Sequence, residues 1–297
     1  LSGKNQTIKL SVKGKNISFQ ADPFKTLKTI LRSCSLKNAE HDLPISAGLF
    51  GYLAYDLKDQ LENLPRTSLD DLNLPHIYFF APSILVIQDR FKQKTWLCIP
   101  LQKKQGKEHI KDLRQKFFSA LSKPKKNVQY FGNQNLFASN FTQNAYEQAI
   151  ERIREYIAKG HVYQVNMSQR FKTDFKGNSY QLFSTLFQKN PAPFFAYIQA
   201  GDHQIISTSP ERFLKQQGTY VETRPIKGTL PRGETLQKDK KNKAELLQSK
   251  KDDAELSMIV DLLRNDLGKV CCAGSVEVKK KKKLEAYQNV FHLVTII

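Results

Sequence analysis

Apolar residues recur along this chain at two spacings, every third or fourth position and every second. The changes from one to the other predict helices alternating with pairs of strands. Phe24, Leu27, Ile30, Leu31 and Cys34 share one helical face behind Asp22-Pro23, a capping residue followed by a proline suited to a first helical turn. The stretches GLFGYLAYDL (48–57), HIYFFAP (76–82), SILVIQD (83–89) and KTWLCIPL (94–101) read as strands, the last two joined by a polar turn. Ile110, Leu113, Phe117 and Leu121 then fall on one side of a second helix. The polar, punctuated segment 122–135 reads as a crossing between two halves.

The second half opens with a helix from Thr142 to Lys159, whose face is Tyr146, Ala149, Ile150, Ile153 and Ile157 and whose stop is Gly160. HVYQVNMSQRF (161–171) alternates and predicts a strand. Tyr163, Val165, Met167 and Phe171 take one face; Gln164, Asn166, Ser168 and Arg170 take the other. A helix from Ser179 to about Gln188 follows, then strands at 193–199, 203–209, 212–217 and 219–223. The last helix, from about Asp252 to Leu267, buries Leu256, Ile259, Val260, Leu263 and Leu267. Strand pairs joined by short turns, with helices between them, imply largely antiparallel sheets and an α+β architecture. Neither a GxGxxG loop between strand and helix nor a GxxxxGK[ST] motif is present, which argues against a dinucleotide or P-loop fold.

Composition narrows the function classes. The 297 residues are 40% hydrophobic with a mean hydropathy of −0.50, as expected of a globular protein with one large core or two fused ones. No apolar run reaches the ~18 residues that span a bilayer, and the first residues lack a signal-peptide core, so a cytoplasmic protein is expected. Leu1 at the first position suggests a piece of a longer chain. Cys34, Cys98, Cys271 and Cys272 show no metal-ligand spacing and are expected to be reduced and buried. The 47 basic against 28 acidic residues, a net charge of +19, raise the alternative of a nucleic-acid-binding protein. The lysine runs at 238–243 and 279–283 lack interleaved aromatics, however, and read as solvated loops.

A few residues stand out as candidates for chemistry. Asp252 and Glu255 sit three apart at a predicted helix start, where they can share a divalent cation or simply cap the helix. Glu211 follows Ser209-Pro210 between two strands, a placement open to proton transfer or to plain solvation. His292 lies in the apolar run VFHLVTII, where a histidine is either a core residue or a pocket residue. Lys227 sits in ETRPIKGTLPRG (222–233) as either a nucleophile or one more surface charge.

GHVYQVNMSQRF, STSPERFL, ETRPIKGTLPRG, DDAELSMIVDLLRNDLG with GSVEV, and VFHLV occur together in the order of the chorismate-binding enzymes. GLFGYLAYDL resembles the corresponding N-terminal segment. The resemblance implies a layered α/β/β/α sandwich, with an N-terminal subdomain at 1–122, a crossing at 123–140 and a chorismate-binding catalytic domain at 141–297. In isochorismate- and salicylate-forming members a lysine that activates water stands where this chain has Gln164. Anthranilate synthases typically read Pro-Ile-Ala-Gly-Thr where this chain reads Pro-Ile-Lys-Gly-Thr. The lysine form resembles aminodeoxychorismate synthase component I, with anthranilate synthase component I as the nearest enzyme alternative.

By that resemblance, Lys227 attacks C2 of chorismate and Glu211 is the general acid/base. Glu255 is an Mg²⁺ ligand with Asp252 beside it, Gly228 and Thr229 hold a substrate carboxylate, and His292 lines the pocket near the leaving group. Ammonia is expected from a glutamine amidotransferase partner. The family pattern continues past the position of Ile297 with a further metal glutamate and a carboxylate-binding arginine. The fold is therefore expected to be truncated at both ends, and residues 1–297 alone to be inactive.

Overall fold

The computed structural model describes residues 1–12, 14–34, 43–66, 68–101, 105–123, 129–132 and 137–297. They divide into two compact units, Leu1–Lys126 and Asn127–Ile297.

The first unit is built on a five-stranded antiparallel sheet. Its strands are β1 (Ser2–Lys4), β2 (Thr7–Val12), β3 (Lys15–Gln20), β4 (Phe50–Leu53) and β5 (Ile77–Phe80), in the order β3-β2-β1-β5-β4. β1 is central, so Gly3 pairs with both Ile8 and Ile77, and those two isoleucines are fully buried. Between β3 and β4 runs α1 (Pro23–Ser33), whose start follows the expected chemistry: the Asp22 carboxylate accepts the Lys25 N–H at 2.8 Å and Pro23 occupies the first turn. A hairpin of β6 (Leu85–Asp89) and β7 (Lys94–Cys98) and the helix α2 (Lys107–Leu121) complete this unit. The expected strand at 48–57 is shorter than its apolar pattern suggests. It stops at Leu53, and a 3₁₀ helix, Tyr55–Gln60, buries Leu57 instead.

In the second unit, β8 (Tyr130–Gly132) and β9 (Ala138–Ser139) lie within the expected crossing at 123–140, of which 124–128 and 133–136 fall outside the described residues. They pair with β11 (Phe175–Gly177) and β10 (Phe171–Lys172), respectively, so this segment supplies strands and is more than a connection. The helix α3 (Gln143–Ala158) is capped by the Thr142 hydroxyl, which accepts the Ala145 N–H at 3.2 Å. α4 (Ser179–Lys189) packs on the hairpin β12 (Phe194–Ala200) and β13 (His203–Ser209) through an aromatic cluster of Tyr180, Phe183, Phe187, Phe195 and Tyr197.

A second hairpin, β14 (Arg212–Gln217) and β15 (Tyr220–Arg224), leads into β16 (Ile226–Pro231). Two helices follow, α5 (Leu236–Gln248) and α6 (Lys250–Gly268), and then β17 (Lys280–Ala286) and β18 (Val290–Ile296). β16, β18 and β17 form an antiparallel sheet with β18 in the middle. The core sits between this sheet and α5 and α6: Leu246, Leu256, Val260, Leu267, Phe291, Leu293 and Ile297 are all buried together. Every strand pair among the described residues is antiparallel, so the fold class is α+β as expected.

Several local expectations are corrected. No strand covers 161–170; Tyr163 is 92% exposed and Val165 41%, so the alternating apolar face does not enter a core. The lysine runs are not loops. Residues 238–243 lie on α5, and 280–283 form the start of β17, where neighbouring apolar residues on the same element supply the buried side. The cysteines are free but not buried: Cys34 and Cys272 are exposed, Cys98 and Cys271 half-buried.

Candidate functional site

The candidate residues all lie in the second unit, around the point where β16 meets β18 and the start of α6. The register between β16 and β18 slips by one residue at Gly228: Lys227 stands opposite Leu293, yet Thr229 stands opposite His292. Gly228 is thus the extra residue of a β-bulge and takes φ +79°, a left-handed conformation that suits glycine. A Cβ here would lie 3.0 Å from Leu246 Cδ1 and 3.1 Å from both Cβ and Cγ of Asp252. The missing side chain therefore lets the strand approach the two helices closely and sets Asp252 against the bulge.

The slipped register brings Thr229 Oγ1 to 2.8 Å from His292 Nδ1. His292 is only 8% exposed. Burial holds its pKa below the ordinary histidine range, and it is opposed by a hydrogen bond with the Gly228 backbone and by the charges of Glu211 and Glu285. The imidazole is accordingly neutral at neutral pH. Glu211 is exposed, but its Oε1 accepts the backbone N–H of Ile226 at 2.8 Å, which ties it to the residue preceding Lys227. Lys227 is half-buried, and its ammonium makes no hydrogen bond or ion pair among the described residues. Such a side chain is available to a ligand.

The helix cap resolves one of the alternatives left open by the sequence. α6 starts two residues before Asp252, and its N-cap is Ser249, whose hydroxyl accepts the Asp252 N–H at 3.2 Å. A reciprocal capping box would need the third residue's carboxylate to receive the cap's own N–H. Ser249 N instead donates to Leu246 O. Neither Asp252 nor Glu255 is occupied with capping. Glu255 Oε1 accepts a hydrogen bond from Gln164 Nε2 at 2.8 Å, across 91 residues of sequence. Gln164 therefore reaches the site from an irregular segment rather than from the strand expected there.

No three Asp, Glu, His or Cys side chains gather as a metal cage among the described residues. A magnesium ion, however, is commonly held by one or two carboxylates, with waters and substrate oxygens completing its shell. Asp252, set against the bulge, and Glu255, about one helical turn further along α6, suit that shared mode.

The sequence reading missed a charged cluster next to these residues. Glu222 is buried, with Arg224 Nε donating to its Oε1 at 2.7 Å and Nη2 to its Oε2 at 3.2 Å, and Arg212 donating to Oε1 as well. The Arg224 hydrogen bonds lead in holding the Glu222 carboxyl below the usual range. Arg212, Arg224, Ile226, Glu285 and Tyr287 line a cavity of about 90 Å³. The ERF and ETR triplets carried this signal, since alternate positions on paired strands place opposite charges on one face. A larger concavity of about 390 Å³ at the end of α6, lined by Asp261, Arg264, Asn265 and Cys272 among others, contains none of the candidate residues.

Residues 2–297 match the family model described as chorismate binding enzyme. Among curated proteins, aminodeoxychorismate synthase component 1 of Bacillus subtilis (strain 168) is 36% identical over 276 residues, 92% of this chain and 57% of that protein. Anthranilate synthase component 1 of Thermus thermophilus is 34% identical over 258 residues, 86% of this chain and 55% of that protein. The chain thus spans somewhat over half the length of the relatives it matches. Among solved structures, anthranilate synthase component I from Streptococcus pneumoniae TIGR4 superposes with a TM-score of 0.79 at 23% identity, over 99% of this chain and 67% of that one. The fold is shared with that protein.

Proposed function

The chain belongs to the chorismate-binding enzyme family, and we propose that it carries catalytic residues of a cytosolic aminodeoxychorismate synthase component I, converting chorismate and ammonia into 4-amino-4-deoxychorismate. The observation that carries this reading is Lys227: a half-buried amine beside the Gly228 bulge, with no hydrogen bond or ion pair among the described residues, where anthranilate-forming members typically have alanine. Identity alone does not separate the two activities, since relatives of either name stand at 36% and 34%.

In this reaction Glu211 takes a proton from Lys227, whose Nζ then forms a bond to C2 of chorismate. The two ring double bonds shift, and the C4–O bond breaks, the hydroxyl leaving as water with a proton from Glu211. Ammonia then adds at C4, the double bonds shift back, and Lys227 departs from C2 with its electron pair restored. Glu211, tied to Ile226 N–H, is held next to the strand that bears the nucleophile. Thr229 and the Gly228 backbone receive a substrate carboxylate, and neutral His292 lines the leaving-group side without repelling an incoming amine. Glu255 and Asp252 would hold Mg²⁺, which when bound neutralises the ring carboxylate and draws electron density away from C2. Gln164, occupied by Glu255, has no basic group with which to activate water. The ammonia source is a glutamine amidotransferase subunit, chorismate is the substrate, and no nucleic acid or membrane takes part.

The test uses the protein in the full length its gene encodes, with chorismate, ammonium and Mg²⁺. The expected product is 4-amino-4-deoxychorismate without pyruvate release, and peptide mapping after trapping should place a chorismate-derived mass on the peptide containing Lys227. Lys227→Ala should abolish the adduct and slow C4 amination by ~10²-fold, the scale of a lost catalytic group. Anthranilate as the main product would refute the assignment, and unaltered C4 amination by Lys227→Ala would refute the nucleophile.

A further inference from the structure

Glu285 and Tyr287 have no part in the reading above, yet both stand against His292. Glu285 on β17 is the register partner of His292 on β18. Tyr287, just beyond the end of β17, closes the hairpin by donating its N–H to Val290 O at 2.8 Å. Its ring meets the imidazole edge-on, with centroids 5.3 Å apart and planes at 64°. The phenol donates to Glu285 Oε2 at 2.8 Å, and Lys283 Nζ donates to Oε1 at 2.7 Å, so both carboxylate oxygens are held.

The chemistry of the pair is consistent with a fixed arrangement. Burial, the Glu285 hydrogen bond and the Glu285 charge push the Tyr287 phenol up to about 12, so it remains a donor throughout the working pH range. Burial would raise Glu285, but Lys283, Tyr287 and the charge of Arg224 outweigh it and keep the carboxylate ionised. A half-buried anion with both oxygens held, next to an imidazole, favours one orientation of that ring and discourages others, because a rotated ring loses both the edge contact and the Thr229 hydrogen bond.

We propose that Glu285 and Tyr287 are positioning residues for His292: Tyr287 sets the plane of the imidazole, Thr229 holds its Nδ1, and Glu285 locks Tyr287 and supplies the facing negative charge. The inference rests on the reading that His292 lines the chorismate pocket. It concerns an orientation that can be observed without turnover.

The experiment follows the His292 ring by NMR in histidine-labelled chain, the resonance identified by its loss in His292→Gln. The groups facing the ring are Glu211, Glu285 and Tyr287, with Lys283 and Arg224 behind Glu285. Glu285→Gln should lower the His292 titration midpoint, since the facing charge is gone. Tyr287→Phe, which keeps the ring and removes only the hydroxyl, should shift the His292 ring resonances. The double variant should match Glu285→Gln alone, the mark of two groups acting as a unit.

In turnover of chorismate by the gene's full-length product, each single variant should lower kcat by about 10- to 100-fold with KM little changed, the scale of a small misplacement of a reacting partner. Folded variants in which both the midpoint and the ring resonances of His292 stay unchanged would overturn the proposal. If either variant fails to fold, Lys283→Met, which frees one carboxylate oxygen from an accessible position, should move the same resonances, and no movement there overturns it equally. Absence of any chorismate turnover in the unaltered protein would count against the proposed function, while the resonance test would still decide the positioning role.

Discussion

Replacing Gly228 with alanine tests whether the bulge organises the site. Two costs are expected. A non-glycine residue at φ +79° costs about 1–2 kcal/mol from the clash between Cβ and backbone. The new Cβ would also meet Leu246 Cδ1 at 3.0 Å and Asp252 Cβ and Cγ at 3.1 Å. The leucine methyl ends a flexible side chain and can yield. Asp252 Cβ is anchored to α6, so the helix or the strand must shift, a strain of about 1–3 kcal/mol on the scale of overpacked cores. The sum is about 2–5 kcal/mol, offset by about 0.4–1 kcal/mol because alanine restricts the unfolded chain.

Gly201 provides the control within the same unit: its φ is +78°, and nothing lies within 4 Å of a Cβ placed there. Gly201→Ala should therefore show the backbone cost and the unfolded-state offset without the steric part. Urea denaturation followed by fluorescence and circular dichroism measures both. Gly228→Ala should be less stable than Gly201→Ala by about 1–3 kcal/mol, which at a slope of about 2 kcal/mol per molar lowers the midpoint by roughly 0.5–1.5 M. The histidine spectrum should also change, since Thr229 reaches His292 only through the slipped register. Equal destabilisation by the two substitutions, with the His292 signal unmoved, would refute the claim that close approach at Gly228 shapes the site.

Two further outcomes are expected. Glu255→Gln should weaken Mg²⁺ binding, measured by calorimetry with chorismate present, more than Asp252→Asn does; unchanged Mg²⁺ affinity in both would remove the metal from this helix. For pH, the folded state holds His292 below its ordinary 6.5, so the unfolded chain binds the extra proton and stability falls as pH drops through about 6.5, levelling off below the folded-state value. Glu222 and Glu285 are shifted down from 4.5, so their contribution is lost only at lower pH. His292→Gln should therefore flatten the thermal-stability profile between about pH 6.5 and 4.5, and an unchanged slope would count against a buried neutral imidazole.

Much of this molecule was legible before its tertiary structure. Asp22 and Thr142 cap helices because a short side chain with an oxygen can reach the free N–H groups of the first turn, an interaction confined to three or four residues. The hairpins at 85–98, 194–209 and 212–224 follow from apolar alternation on either side of a short polar turn, again a local pattern. The family motifs were readable for the same reason, each being a contiguous string.

What tertiary structure decided depends on groups distant in sequence. Alternation in 161–171 resembles a strand, but a strand needs a partner edge along its length, and here only Phe171–Lys172 finds one. Lysine runs look like loops when read alone. They become helix or strand because Leu246 and Leu284 on the same elements pack into the α6 core. Asp252 and Glu255 read as caps or as ligands, with capping the plainer reading of the residues alone, until Ser249 took the cap and Gln164 reached Glu255 from 91 residues away. The contact between Thr229 and His292, and the Glu285–Tyr287 pair behind it, arise from a one-residue slip between β16 and β18 and from the register of β17. A slip of this kind costs little in local propensity and is selected by how closely Gly228 lets the strand approach α5 and α6, so it belongs to packing and not to any single stretch of sequence.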